Sequence, residues 1–185
     1  RLYTHDHMLP WGRLRDLPSQ SHRANVVVVT KCPTHMQPID RRIVSNTLQL
    51  ASYQHLCYSS IGYAPIHLNG TPLIVTGIAN PMPLLTHLQQ QYPDTELLAY
   101  PDHHIFTPQD VNRIMQKAEQ YVCVVTTEKD YMRLLQTPLV EQLGDKLHVI
   151  SIQTNLGIDK EAFDRQILLY VSENNRTKPN ITTLE

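Results

Sequence analysis

The sequence predicts an α/β fold with a mostly parallel, doubly wound sheet, and three features carry that expectation. From residue 72 onward, short aliphatic runs alternate with segments of helical period. Residues 25–30 hold an unbroken apolar run, Val26–Val29, of the kind buried on both faces of a sheet. Helix-opening signals, with a capping residue followed by proline, recur between the strands.

The first 24 or so residues are irregular, punctuated by Pro10, Gly12 and Pro18. Residues 25–30 then read as a buried strand. Pro33 and Pro38 bound a loop, Asp40 marks a helix start, and Ile43, Val44, Thr47, Leu48 and Ala51 fall at helical spacing. Residues 53–71 are mixed, with strand-like pieces broken by Gly62 and Gly70, and are expected to link two domains. Residues 73–78 are the next strand. Asn80-Pro81 offers a cap and a first-turn proline ahead of Leu84, Leu85 and Leu88. Residues 96–100 are a strand. Thr107-Pro108-Gln109-Asp110 has capping-box spacing with Asp in the Glu position, and Val111, Ile114, Met115 and Ala118 follow on one helix face. Residues 122–126 are a strand, 129–136 a short helix and 147–152 a strand. Asp159 opens a last helix with Phe163, Ile167, Tyr170 and Val171 on one side. The division expected is 1–52, a linker over 53–71, an α/β domain over 72–173, and a polar, frayed tail over 174–185.

Composition narrows the class. With 41% apolar and 18% charged residues, the 185-residue chain is neither disordered nor fibrous. Cys32, Cys57 and Cys123 lie far apart, which suits buried thiols better than a disulfide framework. No apolar run is long enough to span a bilayer. No charged-then-apolar leader is visible, and the opening Arg1-Leu2-Tyr3 lacks a methionine, as expected of a fragment or processed product. A net charge of -1 gives no reason to expect nucleic acid as a partner. Residues 1–42 nevertheless carry +4, and the remainder −5. The basic stretch suits either an anion or a solvated face.

In open parallel sheets, ligands bind beyond the carboxyl ends of the strands. Two of the loops there are dense in titratable groups. In Asp102-His103-His104, a histidine beside a carboxylate suits a general base or proton shuttle; the alternative is a loop that merely caps the following helix. Metal ligation is disfavoured, because adjacent residues rarely reach one ion and no second His or Cys pair has helpful spacing. His5-Asp6-His7 has a similar composition but lies in the irregular head. In Glu128-Lys129-Asp130, the lysine suits a phosphate with an acid to orient it; the alternative is acids complementing a helix dipole. Gly77 permits close backbone approach or a positive φ. Thr30-Lys31 ends the first strand and is a weak candidate for a base-contacting turn. No G-x-x-x-x-G-K-[ST], G-x-G-x-x-G or G-x-S-x-G is present.

Taken together, the motifs resemble one family. Leu9-Pro10-Trp11-Gly12-Arg13-Leu14-Arg15-Asp16 is similar to the LPxGxLRE-type segment of the tetraacyldisaccharide 4'-kinases, the lipid A 4'-kinases. Thr76-Gly77-Ile78-Ala79-Asn80-Pro81 resembles their TGIxNP, Asp102-His103-His104-Ile105-Phe106-Thr107 their DHHxFT, and Thr127-Glu128-Lys129-Asp130 their TEKD. Asp16 stands in place of the usual Glu, and Ala79 where Gly is common. The resemblance implies transfer of the ATP γ-phosphate to the 4'-hydroxyl of a lipid A disaccharide precursor at the cytoplasmic face of the bacterial inner membrane. It implies that residues 1–52 are the end of a P-loop-type nucleotide domain whose phosphate cradle, main Mg2+ ligands and catalytic Asp lie outside this sequence. His103 matches the histidine that partners that Asp, with Asp102 orienting it. Arg15, Glu128, Lys129 and Asp130 match substrate- or phosphate-binding positions, and Thr30 and Lys31 the nucleotide side. No metal ligand is assigned here.

Two rival classes remain. A DHH-type metal-dependent phosphoesterase needs further Asp ligands, commonly in an upstream DxD, and the sequence has none. A non-catalytic α/β module would bind an anion through the basic head.

Overall fold

The computed structural model describes residues 2–175, and the chain within them divides into two compact units. Residues 176–185, most of the expected polar tail, lie outside the described residues. The sequence places the boundary over 53–71 and ends the second domain at 173. The chain divides instead after Ile61 and again after Gln153, so the last helix groups with the first unit.

The second unit, Gly62–Gln153, is built on a four-stranded parallel sheet. Its strands are β3 (Pro72–Thr76), β4 (Glu96–Ala99), β5 (Cys123–Thr127) and β6 (Leu147–Ile150), numbered after two strands described below. Their order is β4-β3-β5-β6. Leu73 sits opposite Glu96 on one side and Val124 on the other, and Val124 pairs onward with Leu147. All five residues of β3 and of β5 are buried.

Alternate residues feed two cores. Leu73, Val75, Leu98 and Val124 pack with Val111, Ile114 and Ala118 of α3 (Pro108–Ala118), Leu134 of α4 (Glu128–Leu134), and Leu139 and Leu143 of α5 (Leu139–Leu143). Ile74, Cys123, Val125 and Ile150 pack with Leu84 and Leu88 of α2 (Met82–Gln89). Helices thus cover both faces, and the α/β, doubly wound class holds. Because the chain leaves β3 toward β4 and returns to place β5 on the other side, β3 and β5 meet at the point where strand order reverses. In open parallel sheets ligands bind beyond the carboxyl ends of the strands at such a point.

The capping box opens α3 as expected: the Thr107 hydroxyl accepts from the Asp110 amide, and the Asp110 carboxylate accepts from the Thr107 amide. Asn80 does not cap α2. Pro81 occupies the cap position, with helical angles and no side-chain cap bond. The expected strand over 147–152 is two strands, β6 and β7 (Ile152–Asn155). Five-residue α5 was not anticipated, being too short to show a period.

The first unit contains β1 (Val26–Cys32), α1 (Pro38–Leu48), most of β2 (His55–Tyr63) and α6 (Lys160–Asn175). β1 and β2 pair in parallel from Val26 opposite His55, and β2 is a nine-residue strand where sequence suggested only short pieces. Val26–Val29 are half-buried, not fully buried as the apolar run predicts. Ile167, Tyr170 and Val171 of α6, expected to pack, are also exposed, at 43%, 63% and 46%. Arg41 ties this unit together. Its guanidinium holds Asp159 at 2.5 Å and lies 4.3 Å over the Tyr58 ring, while the Tyr58 hydroxyl donates to the Arg41 carbonyl. No helix among the described residues is long and apolar enough to cross a membrane.

Candidate functional site

The ends of β3 and β5 converge on one carboxylate. Asp130 has no exposed surface. Its Oδ2 accepts from the Thr76 hydroxyl at 2.6 Å, the Thr127 hydroxyl at 2.9 Å and the Gly77 amide at 3.0 Å. Its Oδ1 accepts from Arg133 Nη1 at 3.1 Å. The Asp130 amide in turn donates to the Thr127 hydroxyl, closing the first turn of α4. A buried carboxylate is tolerated when its lone pairs are taken up in this way. Asp130 is therefore an internal brace between two strand ends, and offers no face to a ligand.

The brace sets the next layer. Gly77 accounts for its own lack of a side chain: a Cβ there would sit 3.0 Å from the Pro101 carbonyl oxygen. The close approach expected at Gly77 is thus present, and it draws the 101–106 loop over the end of β3. The Tyr100 amide donates to the Thr76 carbonyl at 2.8 Å, fixing where that loop begins.

Within the loop the two histidines part company. His104 turns inward, stacks on Tyr100 at 4.8 Å between centroids, and meets Phe106 edge-on. Its Nε2 is 2.9 Å from Asp110, the capping residue of α3. Burial pushes the Asp110 carboxyl up, but hydrogen bonds from the Thr107 amide, the His104 ring and the Thr107 hydroxyl outweigh it and hold the carboxyl below its ordinary value. A depressed carboxyl stabilises the fold above its unfolded value, and this contribution is lost as pH falls through the folded one. Asp110→Asn is therefore expected to lower the melting temperature at neutral pH. The gap to the parent protein should close as the pH is taken well below about 3.9, the ordinary Asp value. A gap independent of pH would contradict the assignment.

His103 turns outward, with its side chain 75% exposed. Its φ of 61° is left-handed, a conformation that costs a residue with a Cβ roughly 1–2 kcal/mol. Two groups flank it. Arg133 Nη2 is 3.2 Å from His103 Nδ1, and Asp102 Oδ2 is 3.6 Å from Nε2. Asp102 is itself gripped by Lys129 at 2.9 Å, and that hydrogen bond, against some desolvation, holds its carboxyl below the usual range. Glu128 lies exposed at the start of α4 and accepts from the Ser151 hydroxyl at 2.6 Å.

Asp102, His103, Glu128, Lys129 and Asp130 thus gather at the carboxyl ends of the strands in the second unit. Arg15, Thr30 and Lys31 belong to the first unit, and all three are exposed. Thr30 and Lys31 end β1, with Lys31 at a φ of 58°. Just beyond them is a cavity of about 360 Å³, lined among others by Cys32, His35, Arg41, Tyr58, Asn155 and Ile158; Thr30 and Lys31 do not line it. Sequence reasoning missed Arg133, although its place three residues after Asp130 puts both on one helix face. It missed Ser151 and Thr76, whose contacts cross strands. Among the described residues, no group of three or more His, Cys, Asp or Glu side chains is arranged to hold a metal ion, so no Mg2+ ligand set is assigned to them.

A family model described as tetraacyldisaccharide-1-P 4'-kinase matches residues 1–172. A tetraacyldisaccharide 4'-kinase of Bacteroides thetaiotaomicron is 33% identical, with 95% of this chain aligned to 54% of that protein. Another, from Flavobacterium johnsoniae, is 34% identical, with 94% of this chain aligned to 52% of it. The chain spans about half the length of the curated relatives it matches. A crystal structure of LpxK from Aquifex aeolicus in complex with ATP aligns over 86% of this chain and 47% of that one, at 15% identity and a TM-score of 0.45.

Proposed function

Since the chain belongs to the tetraacyldisaccharide-1-P 4'-kinase family, we propose that the protein containing it transfers the ATP γ-phosphate to the 4'-hydroxyl of a tetraacyldisaccharide 1-phosphate, and that His103 handles the hydroxyl proton. The observation that carries this reading is the exposed His103, held in a left-handed turn at the strand-order reversal by charged groups on both sides.

Phosphoryl transfer asks a protein for positioning and charge stabilisation more than for covalent chemistry. The site supplies both kinds of group. Lys129 and Arg133 are cations beside the outward histidine, suited to the phosphate charge of donor or acceptor. Glu128 stands exposed at the rim, and Asp102 orients Lys129 and His103. Ile105, 81% exposed on the same loop, suits a substrate with an apolar part. Asp130 enters this reading as a support of the site.

The nucleotide is assigned to the first unit, with Thr30 and Lys31 at the carboxyl end of β1 beside the cavity. Arg15 is assigned to substrate or headgroup charge. The first unit, up to Ile61 and again from Thr154, is read as the end of a nucleotide domain, and Gly62–Gln153 as the acceptor-side domain. Magnesium belongs to the reaction by this reading; among the described residues no group of three or more His, Cys, Asp or Glu side chains is arranged to hold it. The lipid substrate locates the work at the cytoplasmic face of the inner membrane, with peripheral attachment.

The full-length protein, given γ-labelled ATP, Mg2+ and the disaccharide 1-phosphate, is expected to move label onto the disaccharide. Label appearing only as free phosphate would overturn the reading. A phosphoesterase would instead hydrolyse a phosphodiester to a phosphomonoester and an alcohol without ATP.

A further inference from the structure

We infer that Arg133 is a catalytic residue that binds the transferred γ-phosphoryl group, and that this binding draws Arg133 off His103 and frees the ring nitrogen that takes the hydroxyl proton. The inference deepens the kinase reading above and rests on it. Arg133 Nη2 lies 3.2 Å from His103 Nδ1. A guanidinium has only N–H donors, so this contact engages the Nδ1 lone pair, and the N–H of the neutral ring is at Nε2, facing Asp102 at 3.6 Å. A ring held in that way has no nitrogen open to a proton. Proton acceptance therefore requires that the Nη2 arm find another acceptor.

The reaction brings one. Phosphoryl oxygens are strong acceptors that pair with arginine. The disaccharide's own phosphate is at position 1, at the far end of the molecule from the 4'-hydroxyl. The γ-phosphoryl group must come within bonding distance of that hydroxyl, and so beside His103. Arg133 is placed to change partner there. Its Nη1 arm donates to Asp130 Oδ1 at 3.1 Å, and Thr76, Gly77 and Thr127 hold the other oxygen of that carboxylate. Its Nη2 arm meets a ring whose side chain is 75% exposed. One arm stays anchored while the other passes from ring to phosphoryl group. Lys129, 2.9 Å from Asp102, keeps that carboxylate beside Nε2. The groups facing His103 are thus Asp102 from its own loop and Arg133 from α4, with Lys129 acting through Asp102. In the transfer, the 4'-oxygen bonds to the γ-phosphorus as the bond from phosphorus to the β,γ-bridging oxygen breaks. ADP leaves with that electron pair, the hydroxyl proton goes to Nδ1, and the positive ring keeps its Nε2–H toward Asp102.

Nitrogen-15 spectra of histidine-labelled full-length enzyme test the release in the parent protein, with the His103 signals identified by their loss in His103→Ala. Without nucleotide, the Nδ1 resonance of the parent should differ from that of Arg133→Met. Mg2+ with a non-hydrolysable ATP analogue should move the parent resonance to the position of the variant; Mg2+ with ADP should not. A resonance that ignores the analogue, or follows ADP equally, overturns the inference. If Arg133→Met does not fold, the contrast between analogue and ADP in the parent decides alone. Kinetics test the contact itself. Arg133→Met should lower kcat about 100-fold, the scale of one lost charge-stabilising donor, with KM for the disaccharide 1-phosphate within about twofold of the parent. A raised KM for the disaccharide at unchanged kcat would place Arg133 on the 1-phosphate and overturn the inference. Arg133→Lys, which keeps a charge beside Asp130, carries the kinetic comparison if the methionine variant does not fold. If His103→Ala keeps near-normal turnover, the proton-acceptor reading of His103 falls, and the kcat and KM of the Arg133 variant then judge the phosphoryl contact by themselves.

Discussion

Replacing Asp130 by alanine is expected to destabilise the protein by about 3–5 kcal/mol, the usual cost of breaking a buried charge pair. The substitution removes a carboxylate with no exposed surface and leaves four donors without their acceptor: the Thr76 and Thr127 hydroxyls, the Gly77 amide and the Arg133 guanidinium. The first three are buried as well, so water does not replace what is lost. Asp130→Asn keeps the shape and one acceptor oxygen, but with that oxygen toward Thr76, Thr127 and Gly77 its N–H2 faces Arg133, which only donates, so it should recover part of the loss at most. Urea unfolding of parent and variants measures the difference. A loss below about 1 kcal/mol, with activity selectively abolished, would mean that Asp130 meets a ligand and is no brace.

His103→Ala should do the reverse. Its ring is exposed and packs on no core, so its removal should leave the melting temperature nearly unmoved. The left-handed backbone at position 103 remains strained with alanine, a small and constant cost. Turnover of the full-length enzyme should fall at least about 100-fold, the scale of a proton-handling side chain. His104→Ala distinguishes the neighbours. It loses the Tyr100 stack and the Asp110 contact, so its first effect should be on stability.

Much of this was legible in the sequence, for physical reasons that differ from element to element. The α3 start was readable because a capping box is a contact among residues three apart. The strand alternation was readable because β3 and β5 are buried on both faces and keep unbroken apolar runs. The gathering of Asp102, His103, Glu128, Lys129 and Asp130 followed from where ligands bind in such sheets.

What the sequence did not show is the sorting of roles within the cluster. Asp130 reads like its neighbours, as a charged residue at a helix start, until β3 brings Thr76 and Gly77 to it from more than fifty positions away. His103 and His104 are adjacent in sequence, and only the left-handed turn between them sends one outward and the other into the aromatic cluster. Asn80 carried a cap signal, but Pro81 took the cap position in helical geometry and left no room for it. The stripe on α6 is apolar as expected, and the described residues leave Ile167, Tyr170 and Val171 uncovered.

The central claim is that one exposed histidine, beyond the carboxyl ends of β3 and β5, works on the reacting hydroxyl. The most direct test is the single-turnover rate of label transfer from bound ATP to the disaccharide 1-phosphate, in folded full-length His103→Ala beside the parent enzyme. The account predicts a rate at least about 100-fold lower, with ATP binding unchanged. A rate within a few-fold of the parent would contradict it and return His103 to the status of a loop residue.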